Sequence, residues 1–148
     1  MDFTLAGRRC CSVVTRRSPP SGLATYPEGM VAPARPDDCL FCKIVDGEVP
    51  AEIVYAGETT LAFRDLNPQA PSHVLVIPRS HYENAAELAH HEPSGLADVL
   101  SAAAAVAERE GLTEGYRTVF NTGAGAGQTV FHAHLHVLGG RSLSWPPG

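Results

Sequence analysis

The 148-residue sequence lacks any run of about 18 consecutive apolar residues, the length that a helix needs to cross a bilayer. It also has few cysteines, four in all, and two of these are adjacent at Cys10 and Cys11. Four cysteines in a chain of this length are too few for a disulfide scaffold and are more typical of a reducing compartment. These absences predict a soluble, cytoplasmic protein that does not contact membranes.

Basic residues are scarce as well. The 11 Lys and Arg against 16 Asp and Glu give a formal net charge of −5, which divides into +2 for residues 1–30 and −7 for residues 31–148. Phosphate backbones are bound by clustered Lys and Arg, so this acidic region excludes nucleic acid as the principal partner. The 44% hydrophobic content is enough for the core of one compact domain.

Residues 1–36 differ from the rest because they contain repeated Pro and Gly and no sustained hydrophobic period. No apolar segment follows their arginines, so a secretory signal is not indicated. We expect a disordered extension over 1–36 and a folded domain over 37–148. An organelle transit segment and a translation start at Met30 are the alternatives.

Short apolar segments and turn residues alternate through the folded region. They predict one main helix over 93–111, with Ser94 as its N-cap, and strands over 53–56, 59–63, 73–77, 116–121 and 130–138. Strands joined by short connections around one helix are typical of an α+β fold with an antiparallel sheet of about five strands.

Three histidines alternate in the last predicted strand. Side chains on a strand alternate between faces, so His132, His134 and His136 would line one face at intervals of about 6.6 Å. Such a row can bind a metal, carry protons or hold a phosphate. The alternative is a solvated polar face, which is the commoner role of a single histidine.

A glycine-rich loop precedes the histidines, with Gly123, Gly125 and Gly127 at alternate positions. Glycine lets backbone N–H groups approach an anion without a Cβ in the way. Asn121, Gln128 and Thr129 add polar side chains. The loop and the histidines together predict a phosphate-binding site.

These motifs resemble those of the histidine-triad (HIT) family. Residues 127–141, GQTVFHAHLHVLGGR, are similar to the family's alternating His motif. The segments DLNPQAPSH at 65–73 and WPPG at 145–148 resemble its nucleotide-binding, protein kinase C inhibitor-like branch. The resemblance covers residues 38–148. It implies a HIT-like fold and a homodimer in which the two sheets join, with a purine nucleotide site on each subunit.

The resemblance also implies an activity, the hydrolysis of nucleoside 5′-phosphoramidates, including lysyl- or aminoacyl-AMP, to an amine and the nucleoside monophosphate. His134 would be the nucleophile and form a nucleotidyl-histidine, while His136 would contact the phosphate and assist the leaving amine. His132 and His73 would support proton transfer, and no cofactor would be required. The alternatives are a dinucleoside polyphosphate hydrolase, a nucleotidyltransferase, or a non-enzymatic nucleotide-binding scaffold.

The nucleotide site implied by the resemblance has three parts. Asp65 would accept the ribose hydroxyls, and the phosphate would contact Asn121, Gly127, Gln128 and Thr129. The base would lie against Leu40, Phe41, Ile44, Phe63 and Leu66, for which an ordinary core position is the alternative. Trp145 would reach the site of the partner subunit.

Cys39 and Cys42 have the Cys-x-x-Cys spacing of zinc ligands. The resemblance implies His81 and His132 as the other two ligands, since some relatives bind zinc in this way. The alternative is a pair of small buried thiols. Zinc at this position would be structural rather than catalytic.

Overall fold

The computed structural model describes residues 35–147. Met30 and most of the predicted extension therefore lie outside the described residues. Arg35, which we assigned to the extension, donates to Asp46 Oδ1 at 3.1 Å and to the carbonyl oxygen of Cys42 at 3.2 Å. The described domain thus includes Arg35.

Five antiparallel strands form one sheet in the order β1-β2-β3-β5-β4, which confirms the predicted α+β class. The strands are β1 Ile53–Ala56, β2 Thr60–Arg64, β3 Ser72–Pro78, β4 Tyr116–Phe120 and β5 Leu135–Gly139. The helices are α1 Leu40–Val45, α2 Ala85–His91 and α3 Pro93–Arg109, with a 3-10 turn at Ala124–Ala126. Within residues 35–147, no helix has the length and apolar character needed to cross a bilayer.

The two faces of the sheet bury different side chains. Helix α3 packs its Val and Ala residues on one face, against Ala62, Val74, Val76, Leu135 and Val137. Helix α1 packs on the other face, against Leu61, Phe63, Leu75 and Ile77. Side chains alternate along a strand, so His73 and His136 lie on the α1 face. The α1 face of the sheet therefore carries these two histidines.

The last strand begins at Leu135 rather than at Val130, so the predicted strand over 130–138 is too long at its start. In register, Val76 pairs with Leu135, so the ladder would continue with Ile77 opposite His134 and then Pro78 opposite Ala133. Pro78 has no N–H to donate, and its carbonyl accepts from His132 Nε2 at 3.0 Å. Residues 130–134 therefore bend away, and the N–H of Ala133 donates to the carbonyl oxygen of Tyr82.

The helices also differ in two places from the prediction. Helix α2 was not predicted, although Asn84 caps it by accepting from the N–H groups of Ala86 and Glu87. The main helix ends at Arg109, and its N-cap is Glu92 rather than Ser94. Pro93 starts this helix because the first turn needs no N–H donor from that position.

Candidate active site

His134 lies just before β5, and its imidazole is fixed by its own segment. Its Nδ1 is 2.7 Å from the carbonyl oxygen of His132. Since a carbonyl only accepts, Nδ1 carries the proton and Nε2 keeps a free lone pair. Burial lowers the pKa of His134 below its usual value. The residue therefore presents a neutral imidazole whose Nε2 can attack an electrophile.

His73 and His136 form a hydrogen-bonded pair. The backbone N–H of Gln69 donates to Nδ1 of His73 at 3.1 Å, so the proton of His73 is on Nε2. That Nε2 donates to Nδ1 of His136 at 2.8 Å. His136 therefore carries its proton on Nε2, a buried atom with no hydrogen-bond partner among residues 35–147. A buried N–H without a partner is costly, and a bound anion or leaving group would satisfy it.

Asp65 provides the negative charge that faces this pair. Its Oδ2 is 3.5 Å from Nε2 of His73. Burial, helped by the neighbouring rings of His134 and His73, lowers the pKa of His136 to about 4. Asp65 acts in the opposite direction and raises the pKa of His73, His134 and His136. The three imidazoles are therefore neutral near pH 7, with one carboxylate beside them.

His132 differs from the other two members of the triad because both of its ring nitrogens already have partners. Its Nε2 donates to the carbonyl oxygen of Pro78, so Nδ1 carries a lone pair. That Nδ1 lies 3.6 Å from Sγ of Cys39, 3.6 Å from Sγ of Cys42 and 3.3 Å from Nδ1 of His81. All four residues are buried. No nitrogen of His132 is left for substrate chemistry.

The spacing of these four residues can be compared with a zinc site. Tetrahedral zinc with Zn–S near 2.3 Å and Zn–N near 2.0–2.1 Å requires about 3.6 Å between sulfur and nitrogen and about 3.3 Å between nitrogens. The Cys42–His81 distance is 3.4 Å, and the distances from His132 are 3.6 and 3.3 Å. The donor set and its edges therefore fit a tetrahedral Cys2His2 zinc site.

A cavity of about 240 Å³ opens between α1 and the end of β2. Of the predicted nucleotide-binding residues, it is lined by Leu40, Phe41, Ile44, Phe63, Asp65, Leu66 and Thr129. The Phe41 ring meets the His134 ring edge-on at 5.3 Å and the His132 ring at 5.9 Å. Leu66 is 92% exposed, so it forms a rim rather than part of the core. The cavity is thus lined by Phe41, whose ring contacts His134, and by Asp65, whose Oδ2 is 3.5 Å from Nε2 of His73.

Other lining residues were missed in the sequence, namely Val49, Pro50, Ala51, Arg64, Asn67 and Leu75. The 49–51 segment gives no motif that would identify it. Asn67 had a signal, because it lies two residues after Asp65, and its N–H donates to Asp65 Oδ1 at 2.8 Å. This bond holds the carboxylate at the cavity.

The glycine loop is shaped mainly by its own hydrogen bonds. The N–H groups of Ala126, Gly127 and Gln128 donate within the loop, and that of Gly123 donates to Oε1 of Gln128. Gln128 Nε2 donates to the carbonyl oxygens of Glu83 and Val130 at 2.7 and 3.1 Å. The loop therefore offers fewer donors to an anion than the sequence predicts, and the Gln128 amide supports the loop instead. Asn121 Nδ2 lies 4.0 Å from the position that a Cβ at Gly127 would take.

A larger cavity of about 600 Å³ lies elsewhere, between the α3–β4 connection and the segment after β5. It is lined by residues 111–117 and 140–143 and contains no histidine or cysteine. The smaller cavity, in contrast, is lined by Asp65 and by Phe41, whose ring contacts His132 and His134. Trp145 lines neither cavity and is 84% exposed, and the neighbouring Ser144 carbonyl accepts from Arg117 at 2.6 Å.

Comparison with known proteins identifies relatives that this chain matches over most of their length. An uncharacterised HIT-like protein of Synechococcus elongatus is 54% identical over 112 residues, which cover 76% of this chain and 98% of that relative. A 14 kDa zinc-binding protein of Zea mays is 45% identical over 111 residues, 74% of this chain and 87% of that relative.

Solved structures agree with this likeness. A HIT family hydrolase from Legionella pneumophila is 49% identical, with a TM-score of 0.72, and the match covers 75% of this chain and all of that one. The model of the HIT domain family matches residues 46–143. These residues include Asp65, His73 and the three histidines of 132–136. The chain therefore belongs to the HIT domain family.

Proposed function

We propose that the protein is a hydrolase that cleaves the P–N bond of purine nucleoside 5′-phosphoramidates, as in the nucleotide-binding branch that its motifs resemble. The observation that carries this proposal is a pair of ring nitrogens without partners, one a hydrogen-bond acceptor and the other a hydrogen-bond donor. Nε2 of His134 has a lone pair, whereas Nε2 of His136 carries a proton without a partner. Their ring centroids are 5.0 Å apart. A phosphorus atom between them would meet a nucleophile and a donor together.

The reaction follows from these two nitrogens. Nε2 of His134 attacks the α-phosphorus and forms an N–P bond, while the P–N bond to the amine breaks. The departing nitrogen takes up a proton from solvent and leaves as the neutral amine, while Nε2–H of His136 keeps its own proton and donates a hydrogen bond to the phosphate at the leaving-group side. Water then attacks the phosphorus of the nucleotidyl-histidine, the new N–P bond breaks, and the proton that the water loses goes to solvent. The products are the amine and the nucleoside monophosphate.

The rest of the substrate would occupy the cavity beside His134. Asp65 supplies a carboxylate that can accept from two ribose hydroxyls. The apolar lining from α1 and Phe63 suits a flat base. Thr129 also lines this cavity and would hold the phosphate with its hydroxyl, together with Asn121 and Gly127 of the same loop. A purine 5′-phosphoramidate, including lysyl- or aminoacyl-AMP, is therefore the substrate class we propose.

We also assign zinc to Cys39, Cys42, His81 and His132 as a structural ion. When bound there, zinc would link α1 to the segment before β5 and would leave no open position for substrate. His132 would also connect this ion to the proposed nucleophile, because its carbonyl oxygen accepts from Nδ1 of His134 and orients that ring. The name of the maize relative, a zinc-binding protein, supports this assignment.

A homodimer would complete the site. Strand β4 lies at one edge of the sheet, and Tyr116 and Trp145 near that edge are exposed. A second copy pairing along β4 would join two five-stranded sheets and cover these aromatic residues. Trp145 could then reach the partner's cavity.

The proposal is tested by trapping the covalent intermediate. Protein is mixed with adenosine 5′-phosphoramidate labelled in the nucleotide, quenched within one turnover and digested. We expect the label on the peptide that contains His134, and His134→Ala should lower turnover by at least about a thousandfold. His90→Ala, in α2 and outside the site, is the control. Label on another residue, or full turnover by His134→Ala, would overturn the mechanism.

A further inference from the structure

The donor state of His136 depends on a chain of contacts that starts outside the site. His136 keeps its proton on Nε2 only because His73 donates to its Nδ1. His73 can donate from Nε2 only because its Nδ1 accepts from the N–H of Gln69. If Gln69 moved away, the proton of His73 could move to Nδ1, and the pair could adopt the opposite tautomers. The position of Gln69 therefore sets the chemistry of His136.

Gln69 is held by the turn that follows β5. Nη2 of Arg141 donates to the carbonyl oxygen of Gln69 at 3.1 Å, and Nη1 of the same guanidinium donates to the carbonyl oxygen of Ser142 at 3.0 Å. Arg141 thus links its own turn to the loop over 67–71. Within that loop, Gln69 Nε2 donates to the carbonyl oxygen of Asn67, which keeps the loop compact.

Gly140 brings this turn close to the loop. Its φ is +82°, a conformation that favours glycine. A Cβ at this position would lie 3.0 Å from Cβ of Pro71 and 3.5 Å from the N atom of Ser72. Any side chain at position 140 would therefore push against the 67–71 loop. The close approach lets Arg141 reach Gln69.

We propose that Arg141, with Gly140 beneath it, is a positioning residue for His136. It fixes the Gln69 backbone, which sets the tautomer of His73 and so keeps the proton of His136 directed into the site. This inference deepens the proposed function, since it explains how the leaving-group donor is prepared before substrate binds. Arg141 itself lies at the surface and does not line the cavity beside His134.

The test uses protein labelled with ¹⁵N in its histidines, with no substrate present. Long-range ¹H–¹⁵N spectra distinguish the two neutral tautomers of each ring. In the wild type we expect His73 and His136 both to be protonated at Nε2. In Arg141→Ala we expect mixed tautomers for both, and kcat on the phosphoramidate lower by about threefold to tenfold, the worth of one hydrogen bond. KM should change little.

Two further variants complete the experiment. Arg141→Lys keeps one donor and should recover most of the wild-type spectrum and kcat. Arg109→Ala is the control, because Arg109 also donates to a backbone carbonyl, that of Val54 at 3.2 Å, but far along the chain from this loop. Wild-type tautomers in Arg141→Ala would overturn the inference, whatever its kcat. Failure of the proposed function would instead appear as no phosphoramidate turnover by the wild type, with the spectra unaffected.

Discussion

The two ends of the histidine segment use the same side chain in opposite ways. At the end proposed to bind zinc, hereafter the zinc end, His132 has a partner for both ring nitrogens, and its neighbours are Cys39, Cys42 and His81. At the end proposed to hold the phosphate, hereafter the phosphate end, His134 and His136 each have one bonded nitrogen and one Nε2 without a partner among residues 35–147. The role of an imidazole here is therefore decided by which of its nitrogens the backbone and neighbours already occupy.

The two ends also differ in their proposed task, because one stabilises the fold and the other reacts with substrate. The zinc end joins α1 to the bend at residues 130–134, so it holds elements together. The phosphate end lies beside the cavity and leaves a lone pair and a proton available. A change at one end should therefore appear mainly in stability, and a change at the other mainly in turnover or in proton uptake.

The largest effect should follow from removing a zinc ligand. We expect Cys42→Ser to lose the zinc that the wild type retains and to lower the free energy of unfolding by several kcal/mol. The physical reason is that three buried polar ligands would lose their common partner. Metal analysis of protein purified without chelator, together with denaturant unfolding, measures both quantities.

The matched control is Cys11→Ser, a cysteine outside the described residues, which should leave zinc content and stability unchanged. Negligible zinc in both the wild type and Cys42→Ser would favour the alternative of two buried thiols. The two ends would then differ only in their hydrogen bonds.

The second effect is a pH dependence of the free energy of unfolding, and it arises at the phosphate end. Burial lowers the pKa of His136 from 6.5 to about 4, and the pKa values of His73 and His134 are lowered in the same direction. Between about pH 6.5 and pH 4 the unfolded chain therefore binds protons that the folded chain does not. The free energy of unfolding should fall as pH falls through this range and be insensitive to these groups above it.

Denaturant unfolding at a series of pH values measures this dependence. His136→Gln should make the slope shallower by up to one proton, about 1.4 kcal/mol per pH unit. An unchanged slope would mean that His136 takes up its proton equally well in the folded chain, and it would contradict the buried, neutral state described here.

Much of the fold could be predicted from the sequence because its signals are local. The β1–β2 hairpin, the long helix and the face of His136 follow from hydrophobic spacing and turn residues. The true start of β5 could not be predicted, because it depends on Pro78 in a neighbouring strand. Helix α2 was missed because only Leu88 among its seven residues is buried, which leaves no clear apolar period.

The candidate site, too, could be predicted from the sequence only in part. Residue types and spacing indicated the triad and Cys39-x-x-Cys42, and the resemblance supplied His81 and Asp65. The function of Gln128 differed, because its amide is consumed by carbonyls that lie 45 and 2 residues away along the chain. The acceptor of His134, a carbonyl of its own segment, follows from the sequence. The tautomers of His73, His132 and His136 do not, since each depends on a partner that only the folded chain brings near.

The smallest effect comes from Phe41, whose ring touches both ends. Phe41 meets the rings of His132 and His134 edge-on and also lines the cavity. Phe41→Leu keeps an apolar side chain but removes these ring contacts, so we expect the free energy of unfolding to fall by about 1 kcal/mol. Affinity for AMP, measured by calorimetry, should weaken by about threefold, which corresponds to about 0.7 kcal/mol. Zinc should be retained, because none of its four ligands has changed.

Phe120→Leu is the matched control, since Phe120 packs on the opposite face of the sheet, against the core cluster of α3. It should cost similar stability and leave AMP affinity unchanged. If Phe41→Leu released zinc as well, the ring would be part of the metal site's support, and the two ends would respond as one unit. Retained zinc with weakened AMP binding would instead show that the Phe41 ring supports the nucleotide cavity and not the metal site.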